Sequence, residues 1–321
     1  MSKERNLILM RNKRWMSLLL CGIMLLTAGC TKEDAASSEP KETTATTVTT
    51  EETTEMTLVT EETVPPDRDR TDVDVETEHI LDDAGVLDAA VHDTLNVRAA
   101  WLAKTFRLRV CVVIADTLEG MKSADYAAHC FRELYPKENN GVLLLINNES
   151  GEDCLYTKGT AKQYMAGLSE MICARIAKDL AGGDYQTAVE YVFSQIELAC
   201  PEHIFDECGA LTAEEAKDLE TQADQLTADG RPVFVILTDG TVSAEDAQKL
   251  LAEIAKDESA ALLMINPNEE MIAAALSGEL RDAVSNTALG AALDRTDAAL
   301  KNTSVAAACV RFMDSVANFG A

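Results

Sequence analysis

The sequence predicts an α/β protein: tandem α/β/α sandwich domains, each built on a mostly parallel or mixed central sheet, after a disordered N-terminal stalk. Three observations predict it. Wholly apolar runs such as RVCVVIAD (109–116) and GVLLLIN (141–147) alternate with stretches of helical period, and strands buried on both faces belong to sheets covered by helices on both sides. The same pattern then recurs further along the chain. Ahead of both copies lies a segment too poor in apolar residues to build a core.

The N-terminus reads as an export signal. Lys3, Arg5, Arg11, Lys13 and Arg14 precede an apolar stretch from Trp15 to Leu26, which ends in Thr27-Ala28-Gly29 before Cys30. A basic region, a short apolar run and small residues make a secretory signal peptide, too short to span a bilayer comfortably. The ending LLTAGC also looks like a bacterial lipobox, in which Cys30 carries diacylglycerol and becomes the mature N-terminus. An ordinary cleaved signal and an uncleaved anchor are the other readings. The length and the cysteine directly after the small residues favour lipidation. Residues 1–29 are then the signal, and Cys30 attaches the rest to the outer face of a bacterial cell membrane.

Residues 30–78 are rich in Thr and Glu (TTATTVTTEETTEMTLVTEETVPP) and nearly lack aromatics, the composition of a disordered, extended linker. The whole chain has 55 acidic and 28 basic residues, a net charge of −27. No Lys/Arg cluster exists to meet phosphates, so nucleic acid is excluded as a partner. The acidity suits solubility at a crowded surface. Nine cysteines include Cys21 in the signal and Cys30. The other seven are scattered without any C-x-x-C pair, which disfavours zinc and iron–sulfur sites. Cys111, Cys154 and Cys309 lie in apolar runs and read as small buried hydrophobes, while Cys200 and Cys208 flank a short connector and could pair.

From His79 the chain becomes globular. Leu95, Ala99 and Leu102 form one stripe of a helix that Asp88 could cap. The strand at 109–116, a helix over 124–134, the strand at 141–147 and a short strand near 153–157 follow. Helical stretches at 161–180 and 184–199 complete the unit, giving domains at 79–201 and 202–321. An offset of 124 carries Gly85, Leu87, Leu95, Ala99 and Leu102 onto Gly209, Leu211, Leu219, Ala223 and Leu226. PVFVILTD answers RVCVVIAD, and Thr212 to Glu215 reads as a capping box. At an offset of 119, Leu144-Leu145-Ile146-Asn147 meet Leu263-Met264-Ile265-Asn266, Gly159 meets Gly278, and Phe193 meets Phe312. Agreement of order, pattern and offset means one domain written twice.

HILDDAGVL, the strand ending in Asp116, KENNGVLLLIN, Gly159 and GGDYQTAV, in that order and spacing, together resemble the TPM domain over residues 79–199. The resemblance implies an α/β/α sandwich. Members of that family include thylakoid-lumen proteins described as acid phosphatases, a photosystem repair factor and an animal modulator of a receptor channel. Several bind divalent cations in a groove at the sheet edge, and bacterial members are typically exported or membrane-attached. Carried over by position, Asp82, Asn140-Gly141 and Gly183-Asp184-Tyr185 match the family pattern. The resemblance implies a calcium or magnesium groove, for which Asp82, Asp116 and Asp184, with Asp83 beside them, remain as candidate oxygen ligands, and a ligand groove at Asn140, Gly141 and Gly159. Asp116 also ends a strand, where open α/β sheets tend to bind ligands.

The sequence departs from the family over 157–166, where TKGTAKQYMA keeps only Gly159 and places Ala161 and Ala166 where the pattern has acids. Two lost carboxylates weaken a cation site. Each remaining residue also has a structural reading: Asp184 as a helix N-cap, Asn140-Gly141 as a left-handed turn. His79, His92, His129 and His203 show no metal-ligand spacing, and no G-x-S-x-G, P-loop or G-x-G-x-x-G is present. In the second copy Ser259-Ala260 replace the Asn-Gly, and Asn302-Thr303-Ser304 replace the Gly-Asp-Tyr, the profile of a degenerate site. The expected function is a binding or accessory role at the cell envelope, with an envelope protein as partner. The alternative is a divalent-metal-dependent phosphatase in the first domain.

Overall fold

β1 (Ile80–Asp82) is the first regular element in the computed structural model, which describes residues 73, 75, 77–256 and 258–319. The signal segment, Cys30 and nearly all of the linker lie outside the described residues. Asp88 accepts hydrogen bonds from the amides of Ala90 and Val91 and so opens α1 (Ala89–Thr105), and Leu95, Ala99 and Leu102 bury that helix's inner stripe. β2 (Arg109–Ala115), α2 (Ser123–Leu134), β3 (Gly141–Asn147) and β4 (Cys154–Lys158) follow. The helical stretch expected at 161–180 arrives as α3 (Ala161–Tyr164) and α4 (Ser169–Ala181), because Gly167 between them takes φ +76°, a left-handed conformation that no right-handed helix continues through. α5 (Tyr185–Ala199) completes the unit.

The four strands lie in the order β1-β2-β3-β4, the first three parallel and β4 antiparallel to β3. Parallel neighbours need crossovers, which α1 and α2 supply on opposite faces. One face packs against α1, α4 and α5 through Leu95, Leu102, Ile172, Val192 and Phe193. The other packs against α2 through Ala127 and Phe131 over Cys111, Val113, Leu143 and Leu145. That alternation along β2 and β3 is why both read as unbroken apolar runs.

The chain then builds a second sheet with the same plan. It runs β5 (Ile204–Asp206), α6 (Ala213–Ala228), β6 (Val233–Leu237), α7 (Ala244–Ala255), β7 (Ala261–Asn266) and β8 (Met271–Leu276). α8 (Gly278–Ala283), α9 (Asn286–Asn302) and α10 (Val305–Ala317) end it. Strand order and sense repeat, and Val235 pairs with Ile204 and Leu263 as Val112 pairs with Ile80 and Leu144. Thr212 and Glu215 form the expected capping box at the start of α6. α6, α9 and α10 cover one face and α7 the other. Phe193 and Phe312 are each fully buried, a burial that contributes about 1.5–3 kcal/mol apiece.

All seven described cysteines are free thiols, so Cys200 and Cys208 do not pair. Burial pushes the Cys111, Cys200 and Cys309 thiols up to about 12, which leaves them protonated and inert. Among the described residues no helix is long and apolar enough to cross a membrane.

Candidate functional site

Asp82 ends β1 and turns its carboxylate back onto its own chain. Oδ1 accepts from the Val86 amide at 3.2 Å and Oδ2 from the Leu87 amide at 2.8 Å. Asp116 lies just beyond β2, exposed to solvent. Asp184 accepts from the Thr187 amide at 3.0 Å as N-cap of α5, and this hydrogen bond holds its carboxyl below the usual range. Next to it, the Tyr185 hydroxyl donates to Asn148 Oδ1 at 2.8 Å, tying the start of α5 to the end of β3. These three aspartates share the carboxyl-terminal side of the sheet.

Asn140, Gly141 and Gly159 sit at the other end. β3 runs from Gly141 to Asn147, so roughly 20 Å of strand separates the two groups. Asn140 Oδ1 accepts from the Ala161 amide at 2.9 Å and so fixes the entry to α3. Gly159 crosses tightly over this turn at φ +67°, where a Cβ would lie 2.2 Å from the Asn139 carbonyl oxygen. At Gly141 a Cβ would stand 2.6 Å from the Arg109 carbonyl oxygen and 2.8 Å from Phe131 Cε2. Both glycines are required by close approach of the chain to itself.

The second sheet repeats these devices with other residues. Asp206 accepts from the Ala210 and Leu211 amides at 3.0 and 2.9 Å, as Asp82 does from Val86 and Leu87. Ser259 Oγ accepts from the Leu280 amide at 2.8 Å, in the manner of Asn140. Ser304 caps α10 through the Ala307 amide. The closing asparagines are matched too: buried Asn147 Oδ1 accepts from Glu149 and Ser150, and buried Asn266 Oδ1 accepts from Asn268 and Glu269.

Two clefts accompany these residues. One of about 440 Å³ lies at the amino-terminal side of the first sheet, lined by Lys104, Arg107, Arg109 and Lys137 with Glu138 and Glu207. Its arginines are paired, Arg107 with Glu207 at 2.5 Å and Arg109 with Glu138 at 2.6 Å. The other, of about 550 Å³, runs beside α6. Among the described residues one group of three metal-capable side chains converges within 4.8 Å, and it consists of His203, Glu220 and Asp224. Glu220 and Asp224 stand one turn apart on α6, a spacing visible in the sequence. His203 joins them only because β5 docks against that helix, which the sequence does not display. Burial pulls the His203 imidazole down, but its bond to Glu220 and the charges of Glu220, Asp224 and Glu202 outweigh this and leave it raised.

Residues 80–199 match the family model of the TPM domain. This segment is a TPM domain. By structure, the chain is similar to the N-terminal domain of a protein from P. gingivalis, with 20% identity, 38% of this chain and 82% of that one covered, and a TM-score of 0.36. It is also similar to the N-terminal domain of a protein from Corynebacterium glutamicum, with 15% identity, 36% and 76% covered, and a TM-score of 0.31. No curated protein matches the chain by sequence. Asp82, Asp116 and Asp184 lie within the TPM domain, whereas His203, Glu220 and Asp224 lie beyond its matched residues.

Proposed function

We propose that this protein is an exported cell-envelope lipoprotein whose TPM domain serves as a binding or accessory module. A lipid on Cys30 holds it at the outer face of the membrane, and residues 30–78 space the folded part away from the bilayer. The folded part divides at 201/202 into the TPM domain and a degenerate TPM-like copy, and an envelope protein is the partner. The observation that carries this reading is the commitment of the signature residues to folding. Asp82, Asn140 and Asp184 each accept backbone amides of their own unit. The second sheet keeps those bonds through Asp206, Ser259 and Ser304 while the side chains change. Carboxylate oxygens that already accept backbone amides have less capacity left for a cation that would hold a phosphate.

A second reading draws on Asp116, which is exposed at the carboxyl end of β2 and makes no hydrogen bond among the described residues. With Asp82 and Asp184 it would bind calcium or magnesium and support a metal-dependent phosphatase. Thermal unfolding of the full chain under calcium or magnesium titration separates the two, because a cation that binds the folded state raises the midpoint as its concentration passes the Kd. A flat response up to millimolar cation is the expected result. A rise lost in Asp116→Ala would favour the phosphatase and call for a phosphate-ester hydrolysis assay. Incorporation of labelled fatty acid in the producing cell, lost in Cys30→Ala, tests the anchor. Unlabelled protein would sink it.

A further inference from the structure

We propose that His203, Glu220 and Asp224 form a binding site for a divalent transition metal of the zinc class, with its open coordination position facing the cleft beside α6. His203 Nδ1 lies 3.0 Å from Glu220 Oε1 and 3.3 Å from Asp224 Oδ1. A tetrahedral ion with bonds of about 2.0–2.1 Å holds its ligand atoms about 3.3–3.4 Å apart. Both separations from His203 are thus already close to those an ion needs, and all three ligand atoms lie within 4.8 Å of one another. One nitrogen and two carboxylates suit zinc better than calcium or magnesium, which take oxygen alone.

The surroundings of the three ligands are those that metal sites use. Glu220 is fixed by the amides of Glu202, His203 and Ile204 at 2.7 to 3.2 Å. The imidazole stacks on Phe234 at 5.6 Å, and its Nε2 lies 3.0 Å from Thr227 Oγ1. With the proton on Nε2 donated to Thr227, the lone pair on Nδ1 points at the two carboxylates, the arrangement in which a ligating histidine is oriented by its second nitrogen. Asp224 keeps 63% of its side chain exposed. With Glu220 it lines the cleft of about 550 Å³, whose lining also includes Gln163, Tyr164 and Leu198. That leaves room for a water or a ligand oxygen in the fourth position.

The first half of the folded chain shows how much of this the fold itself needs. His79 occupies the position of His203, and its amide is capped by Asn96 Oδ1 at 2.7 Å. Asn96 stands at the offset of Glu220. At the offsets of Asp224 and Thr227 the first half has Ala100 and Ala103. A neutral cap and two alanines serve the architecture there, so two carboxylates and a hydroxyl around His203 exceed the structural requirement. The site is independent of the calcium or magnesium reading, from which it differs in residues and in ion.

The test is zinc titration of the untagged, metal-stripped full chain by calorimetry, repeated with cobalt(II) and read by visible absorption. One equivalent of zinc is expected to bind, with cobalt bands of a tetrahedral nitrogen–oxygen site. Asp224→Asn, at a largely exposed position, and Thr227→Val are each expected to weaken binding by about 10- to 100-fold while circular dichroism and the metal-free unfolding midpoint stay near those of the parent. Equal zinc binding in the parent and Asp224→Asn would assign the ion to the acidic surface and overturn the proposal. Thiolate charge-transfer bands would overturn it in favour of the cysteines, and absence of saturable binding at micromolar zinc would overturn it outright.

Discussion

At the head of the first strand of each sheet stands a buried histidine, and the two are shifted in opposite directions by their surroundings. His203 meets carboxylates and is raised. His79 is lowered, because burial outweighs the bond from its Nδ1 to the Val110 carbonyl and the nearby Arg109 adds to the loss. The consequence for stability has a definite sign. Below the ordinary value of 6.5 the unfolded chain takes up a proton at His79 that the folded chain refuses. The contribution of neutral His79 is thus complete above that pH and is lost as pH falls from it toward the folded value. We expect the difference in thermal midpoint between the parent and His79→Gln to shrink as pH drops below 6.5. A difference independent of pH would show that His79 is not buried in its neutral form.

At the scale of elements, β3 and its covering helix α2 are fitted to each other. Gly141 leaves room for Phe131, whereas in the second sheet Ala260 sits in the core with the smaller Leu251 of α7. Gly141→Ala is expected to cost about 1–3 kcal/mol through overpacking. Phe131→Leu should relieve part of that, so a double-mutant cycle by chemical unfolding should find the pair less damaging than the sum. Strict additivity would refute the fit. Much of this layer was legible in advance. RVCVVIAD and GVLLLIN announced buried strands by unbroken apolar character, Asp88 and Thr212–Glu215 announced helix starts, and the offsets from Gly85 to Phe312 announced the second sheet. The break at Gly167 was not legible, since a single glycine within a helical pattern is commonly tolerated. Nor was the separation of Asp82 from Asn140 by a strand's length, because matched motifs carry no information on which sheet edge they occupy. The His203 cluster was missed for a related reason: its members meet through docking of β5 on α6.

For the folded chain as a whole, the bond from Arg107 to Glu207 links a residue just before β2 to one just after β5. Both side chains are about a quarter exposed, 27% and 25%, and solvent screening limits such a pair to about 0–1 kcal/mol. A double-mutant cycle on Arg107→Ala and Glu207→Ala should return a coupling within that range and falling with salt. A larger, salt-insensitive coupling would mean that the ion pair governs the contact between the halves. Two sheets of one topology in a single chain also face a hazard during folding, since a strand can enter the wrong sheet, a known failure of repeated units. The packing beneath α2 makes one such exchange costly. Were β7 to take the place of β3, Ala260 would bring a methyl group to a spot 2.8 Å from the Phe131 ring, where none fits. One missing methyl thus makes the first sheet a poorer seat for β7 than for β3.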